Sequence, residues 1–321
     1  MNPSDGTSSF SQALANGVGR LMAPARFRGK IRLANWLGGI AGGFTPEANC
    51  APVPGARVTV SLSDRIGRMM WAGCYEPELL GLLRRVLGAG MTFVDVGAQI
   101  GYFSAAAAAL VGSSGSVHSF EPDPDCFLML QKNARAYPCM KTHNSAVADF
   151  TGETSFARTP EPGESGWGAL FDEDGKRTKI SVRVCTLDDW QAAERIERID
   201  VLKIDVEGAE CRVLEGARRA IDALKPLIWV EANGVCLARD GQSIASLLSA
   251  LAEHGYEMRG VYGARSKSFD NVVAAPQEKR DLLERLERAD LGLRAIPGTI
   301  GRGATARVSS DEPAARKARR A

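Results

Sequence analysis

Four carboxylates stand where short apolar runs of this 321-residue chain come to an end. They are Asp95 in TFVDVG, Glu121 after VHSF, Asp205 after VLKI and Glu231 after PLIWV. In an open parallel sheet the ligand crevice lies beyond the carboxyl ends of the strands, where strand order reverses. Acids at those ends therefore converge on one rim. Asp205, Glu207 and Glu231 are the candidate catalytic side chains, able to take a proton from a nucleophile. Three carboxylates are also a set that Mg²⁺, which takes oxygen ligands, would accept. Glu207 and Glu210 have a plainer reading as acids in the first turn of a helix, where they offset its dipole. That reading is preferred for Glu210 and stands level with the catalytic one for Glu207. His118 and His143 fall within strands and read as packing residues.

The turn after the first of these runs, TFVDVGAQIGYF, holds Gly97 and Gly101, which allow a tight strand-to-helix turn and close approach of a ligand. A dinucleotide fingerprint has a glycine in the middle to admit a pyrophosphate. Here Gln99 carries a side chain, which argues for a nucleoside ligand without phosphates. Twenty residues beyond Gly101, Glu121 in FEPDP stands where an acid accepts hydrogen bonds from ribose hydroxyls. S-adenosylmethionine is such a ligand, and its sulfonium favours nearby carboxylates and aromatic faces, for which Asp95, Tyr102 and Tyr75 are candidates.

The elements that must position these residues emerge from the hydrophobic pattern. Met91–Val96, Ser116–Phe120, Thr142–Val147, Asp200–Ile204 and Pro226–Val230 read as buried strands. Helices are expected over Ile100–Val111, from an Asp123 cap with Pro124 in the first position, over Gly208–Ile221 and over Ser243–His254. Lys179–Cys185 reads as part of an inserted hairpin. Tyr256–Tyr262 and Ser268–Ala274 form a closing pair. Strands alternating with helices mean a doubly wound α/β sheet covered on both faces. A basic amphipathic helix is expected over Gly17–Ile40, either packed on its own domain or lying on a lipid surface or partner. The stretch from Ile300 has few large apolar residues and reads as a disordered basic tail.

Composition excludes several classes. Forty basic against 38 acidic residues leave a net charge of +2, too little for the chain as a whole to bind nucleic acid or membrane by charge. Seven cysteines without a CxxC pair and three histidines support neither a disulfide framework nor a zinc site. No apolar run is long enough to span a bilayer, and a cytoplasmic protein is expected.

The chain resembles the FkbM family of S-adenosylmethionine-dependent methyltransferases over roughly Val58 to Ala275. The resemblance rests on YEPELL (Tyr75–Leu80), TFVDVGAQIGYF, FEPDP, AVADFTGE (Ala146–Glu153), VCTLDDW (Val184–Trp190), VLKIDVEGAE (Val201–Glu210) and PLIWVE (Pro226–Glu231). The family pattern has Asn where this chain has Gln99. The resemblance implies a Rossmann-like sheet, doubly wound and mostly parallel, with seven strands, an antiparallel final strand and a helical N-terminal cover. Residues 55–275 would be the methyltransferase domain, after an N-terminal extension (1–54) and before a C-terminal helix (276–299) and the tail (300–321). It implies cofactor contacts at the Gly97–Gly101 turn including Gln99, at Glu121 and Pro122, and on the adenine side near Asp149, which reads equally as a turn-former before Gly152. Tyr75 and Glu76 would fold back over the cofactor mouth.

The expected reaction is O-methylation of a hydroxyl on a sugar, glycan or secondary metabolite, with no nucleic-acid partner. Asp205-Val206-Glu207-Gly208 lacks the Pro-Pro-aromatic signature of base-amine methylation. Methylation of RNA or protein, suggested by the Arg-rich tail, and a non-catalytic cofactor-binding module are the alternatives.

Overall fold

The computed structural model describes residues 3–25, 27–158, 178–262, 269–289 and 291–296. The expected tail and residues 159–177, which precede the expected inserted hairpin segment, lie outside them. The chain opens with α1 (Pro3–Met22) and α2 (Lys30–Gly42), then the hairpin β1 (Glu47–Cys50) and β2 (Val58–Ser61), α3 (Arg65–Trp71) and α4 (Pro77–Val86). The single N-terminal helix expected from the pattern is thus two, parted by a turn that contains Pro24, which cannot extend a helix through its missing N–H. Trp71 Nε1 donates to the Ala15 carbonyl at 2.9 Å, which ties α3 to α1. Asn133 exchanges hydrogen bonds with the backbone of Thr59, which ties the hairpin to the central unit. Because β1 pairs with β2, the hairpin straddles residue 54.

The central unit runs β3 (Thr92–Val96), α5 (Tyr102–Val111), β4 (Ser116–Phe120), α6 (Pro124–Ala134), β5 (Met140–His143), β6 (Ala146–Val147), β7 (Gly152–Arg158), β8 (Thr178–Cys185), α7 (Leu187–Ala193), β9 (Val201–Ile204), α8 (Glu210–Glu215), α9 (Arg218–Leu224) and β10 (Leu227–Glu231). It closes with α10 (Gly234–Ala238), α11 (Ile244–Glu253), β11 (Tyr256–Tyr262), β12 (Phe269–Pro276), α12 (Arg280–Arg288) and β13 (Leu293–Ala295). The main sheet has the order β13-β11-β12-β10-β9-β3-β4-β5. Strands β5, β4, β3, β9 and β10 are parallel, and β12 runs antiparallel between β10 and β11. This is the expected Rossmann-like sheet with its antiparallel last strand, extended by the short edge strand β13. Strand order reverses between β3 and β9, so the crevice falls there. Phe93, Val201, Leu227 and Trp229 pack with the N-terminal layer, α5, α6 and α12, whereas Val94, Leu202, Ile204, Ile228 and Val230 pack with α7, α8, α9, α10 and α11. Burial on both faces explains the near-continuous apolar strands.

Two further expected elements are broken, each by contact with a segment distant in sequence. Thr142–Val147 is not one strand. It stops at His143 because the Asn144 amide turns back to donate to the carbonyls of Glu121 and Pro122, and Ala146–Val147 pairs with β8 in a separate three-stranded sheet with β7. The helix expected over Gly208–Ile221 divides into α8 and α9 at Gly216, where a Cβ would lie 1.9 Å from the Ala148 carbonyl oxygen. Gly216 has an ordinary helical φ of −72°, so the constraint is contact and not backbone strain. Gly216→Ala is expected to destabilise by roughly 1–3 kcal/mol and to lower the melting temperature by several degrees. Gly39→Ala, in α2 with nothing near its missing Cβ, is expected to be neutral or slightly stabilising. Thermal denaturation of the two variants checks the pair.

Candidate active site

The turn after β3 is built by mutual exclusion. Gly97, at φ 81°, has no room for a Cβ, which would meet the Asp205 carbonyl oxygen at 1.8 Å; at Gly101, φ 85°, it would meet Leu130 Cδ1 at 2.7 Å. The space left by these glycines, expected to admit a ligand, is filled by the protein's own β9 end and α6. Between them Gln99 sits at φ 51° and donates its backbone N–H to Glu121 Oε2 at 2.8 Å. Glu121 Oε1 accepts from the Asp123 N–H at 2.8 Å. Burial pushes the Glu121 carboxyl up to about 7 against the pull of these two bonds. Each oxygen keeps a lone pair beyond the one already used. Asp123 caps α6 through Asp125 and Cys126 N–H and is gripped by Arg158, with Nε 2.7 Å from Oδ2.

Beneath the turn lies Lys203, 1% exposed. Register pairs it with Asp95 across β3 and β9. Its ammonium is 3.2 Å from Asp95 Oδ1, 3.2 Å from Asp205 Oδ2 and 3.4 Å from the Gly97 carbonyl, with the Phe103 and Trp229 rings each 5.5 Å away. Burial lowers the lysine pKa, but Asp205 and Asp95 together reverse that and hold it above its ordinary value. Ser104 donates to Asp95 Oδ2 at 2.6 Å.

Above Lys203 the acids gather. One oxygen each of Asp205, Glu207 and Glu231 lies within 4.8 Å of the others. Glu76, at φ 43° before α4, is raised to about 7 by burial and then by Asp205, Glu78 and Asp270. The Tyr75 phenol is held well above its usual value, chiefly by burial and then by Asp205, Glu76, Glu231 and Glu207. Glu207, at φ 54°, is pushed up to about 7 by burial and by Asp205, while Cys236 Sγ lies 3.2 Å from its Oε2. Glu231 goes furthest, to about 10, through burial and the repulsion of Asp205, Glu207 and Glu210. Its Oε2 is enclosed without a hydrogen-bond partner. At neutral pH Glu231 is therefore a protonated donor, and Glu207 is poised to exchange a proton.

Several expected placements change. Asp95 and Tyr102 do not face a crevice. Asp95 is fully enclosed on Lys203 and Ser104, and Tyr102, 2% exposed, packs edge-on between Tyr75 and Phe103. The four strand-end acids consequently do not all share one rim. Tyr75 and Glu76, expected over the cofactor mouth, come together with the trio. Glu210 takes its structural role, its carboxylate accepting from the Val206 and Gly208 N–H groups. Asp149 lies 3.5 Å from Arg212, which also holds Asp240 with two bonds, so its contacts are with α8. His118 and His143 stack beside Phe120 and Trp190. Lys203 is the residue that sequence reasoning misses, although a lysine two residues before the acid inside an apolar strand is a visible signal.

Residues 95–258 match the family model for the methyltransferase FkbM domain. Hexuronic acid methyltransferase AglP of Haloferax volcanii is 27% identical over 221 residues, covering 68% of this chain and 86% of that protein. The 2-O-methyltransferase NoeI of Sinorhizobium fredii is 27% identical over 115 residues, 32% of this chain and 47% of its own length. Among solved structures, methyltransferase FkbM from Methylobacillus flagellatus has a TM-score of 0.40 at 19% identity, covering 65% of this chain and 54% of that one. The chain thus spans about half the length of the last two.

The buried charges have two consequences. Lys203→Met leaves Asp95 enclosed without its cation and is expected to cost about 3–5 kcal/mol; adding Asp95→Asn recovers part of that loss in denaturant titration. The carboxyls of Glu76, Glu121, Glu207 and Glu231 are all raised above the ordinary 4.5. The folded state therefore holds protons that the unfolded chain releases, and their stabilisation is complete below about 4.5 and lost as pH rises through 7 toward 10. The melting temperature should fall across that window, and Glu231→Gln should flatten the fall above pH 8 or so.

Proposed function

We propose that this chain, which belongs to the FkbM methyltransferase family, transfers a methyl group from S-adenosylmethionine to a hydroxyl of a sugar or glycan. The observation that carries the reading is the gathering of Tyr75, Glu76, Asp205, Glu207 and Glu231 at the carboxyl ends of β9 and β10, beside the Gly97–Gly101 turn. The names of the relatives AglP and NoeI, with hexuronic acid in one and 2-O-methyl transfer in the other, support the acceptor class.

The residues present fit the methyl donor. Glu121, anchored by the N–H groups of Gln99 and Asp123, retains acceptor lone pairs for a ribose diol. Pro122 sets the backbone beside it, and Asp149, ion-paired to Arg212, would meet the adenine side. The carboxyls of Asp205, Glu76 and Glu207, beside a protonated Glu231, give the pocket an acidic lining suited to a sulfonium cation. When bound, the donor supplies an electrophilic methyl carbon, and alignment is the protein's main contribution. Glu207 takes the proton of the acceptor hydroxyl, Glu231 in its protonated form donates a hydrogen bond to the acceptor, and Asp205 is held in place by Lys203. Tyr75 and Glu76 wall the pocket from the N-terminal side.

Calorimetry with S-adenosylhomocysteine should show binding to the wild type and roughly 10–100-fold weaker binding to Glu121→Ala, the loss of hydrogen bonds to a charged group. With a uronic acid glycoside as acceptor, Glu207→Gln should lower kcat about 100-fold or more while leaving S-adenosylhomocysteine binding intact. The wild-type rate should rise as pH passes about 7, where Glu207 loses its proton. The 4.8 Å spread of the three acids would also seat Mg²⁺. Full activity after dialysis against EDTA assigns the trio to proton transfer, and loss restored by Mg²⁺ assigns it to a cation.

A further inference from the structure

The N-terminal layer carries a surface that methyl transfer does not use. On α1 the exposed residues Phe10, Leu14, Gly17 and Leu21 fall in one stripe, while Ala15, Gly19 and Met22 turn inward. On α2 the exposed arc holds Ile31, Trp36 and Ile40, with Ala34 and Gly38 on the buried side. Exposed Phe27 lies between the helices and Phe44 comes after them. Leu21 is 78% exposed, Phe44 75%, Phe10 74% and Trp36 64%, values that no packing on this chain's described residues accounts for. Isolated exposed apolar side chains are ordinary, but eight large ones on two adjacent helices and their connections are not.

The charge around them is one-sided. Residues 1–44 contain Arg20, Arg26, Arg28, Lys30 and Arg32 against Asp5 alone, in a chain whose net charge is only +2. Arg20, Arg28 and Arg32 are exposed, and among the described residues none of them forms an ion pair. Aromatic and aliphatic side chains interleaved with cations are the composition of a helix pair that lies in the headgroup region of a bilayer. A second copy of the chain fits less well, because a self-facing contact sets these arginines against each other. Among the described residues no helix is long and apolar enough to cross a membrane, so the contact is with its surface.

We propose that α1, α2 and their connections dock this enzyme on an anionic lipid surface, with the apolar residues entering the interface and the arginines meeting lipid phosphates. The docking face borders a broad groove of about 1570 Å³ whose walls include Phe27, Ile31, Arg32, Arg65, Pro77 and Leu291. Pro77 comes directly after Tyr75 and Glu76, so the lipid-facing layer and the acidic pocket share one segment of chain.

Co-sedimentation of the full chain with vesicles tests this independently of catalysis. Wild type should pellet with equimolar phosphatidylcholine and phosphatidylglycerol, at least ~10-fold less with phosphatidylcholine alone, and less again as salt shortens the Debye length. Leu14→Glu/Trp36→Glu and Arg20→Glu/Arg28→Glu/Arg32→Glu should each lose binding by ~10-fold or more at unchanged melting temperature and unchanged S-adenosylhomocysteine affinity. Absence of wild-type pelleting, or pelleting untouched by both variants, overturns the proposal. So does light scattering that shows a dimer dispersed by Leu14→Glu/Trp36→Glu, which would assign the face to a second copy. Failure of S-adenosylhomocysteine to bind wild type would strike the methyltransferase reading and leave this one standing.

Discussion

One buried ammonium holds the candidate site in register. Lys203 stands between Asp95 of β3 and Asp205 at the end of β9, and its third near neighbour is the carbonyl of Gly97. Remove its charge and two carboxylates at the point where strand order reverses have no cation between them, in a region of low dielectric where repulsion is poorly screened. The arrangement is reciprocal, since the Asp205 carbonyl occupies the space that a side chain at Gly97 would need. The two motifs, DVG and KID, therefore interlock twice, by charge below the turn and by contact within it. A change in either displaces the other.

The same economy explains why the pocket above is unfavourable for the protein on its own. Glu76, Glu207 and Glu231 share a half-enclosed space with Asp205, and Lys203 beneath them and Arg239 beside Glu207 compensate only in part. Among the described residues, five that are not glycine have positive φ, and three of these, Glu76, Gln99 and Glu207, belong to the site. Strain and like-charge crowding both concentrate where a cationic ligand would relieve them. Outside the site, Asp123 pairs with Arg158 and Asp240 with Arg212. Among the described residues this crowding of raised carboxyls lies beside the Gly97–Gly101 turn, which makes the cluster the candidate site more than any single residue does.

Much of this is legible in the order of the residues. Apolar runs ending in glycine or acid specify the parallel strands, and Asp123-Pro124 marks the start of α6 because side-chain capping is a local property. What escapes is set at a distance. Nothing near Gly216 in the sequence announces that Ala148 will press against it, and nothing near Asn144 shows that its amide will turn back to the Glu121 and Pro122 carbonyls. Asp95 and Tyr102 read as open because they flank the glycine turn. Strand alternation places Asp95 on the face of Phe93, under the N-terminal layer and against the lysine of the neighbouring strand. The acids are visible as strand-end residues, whereas the cation that organises them hides inside a strand.

That N-terminal layer is more than a lid on the sheet. A run of ring contacts leads from it to the buried charge: Tyr75 lies edge-on to Tyr102 at 5.5 Å, Tyr102 to Phe103 at 5.5 Å, and Phe103 to Trp229 at 4.8 Å. Lys203 sits over the last two rings, where the aromatic faces favour its charge in a place water does not reach. Tyr75 and Glu76 are carried by the connection between α3 and α4, and α3 is tied to α1 through Trp71. The pocket's N-terminal wall, the packing around its organising cation and the exposed helices thus belong to one continuous layer. Displacing α1 would loosen Trp71 first, and through α3 the segment that brings Tyr75 and Glu76 to the acids of β9 and β10.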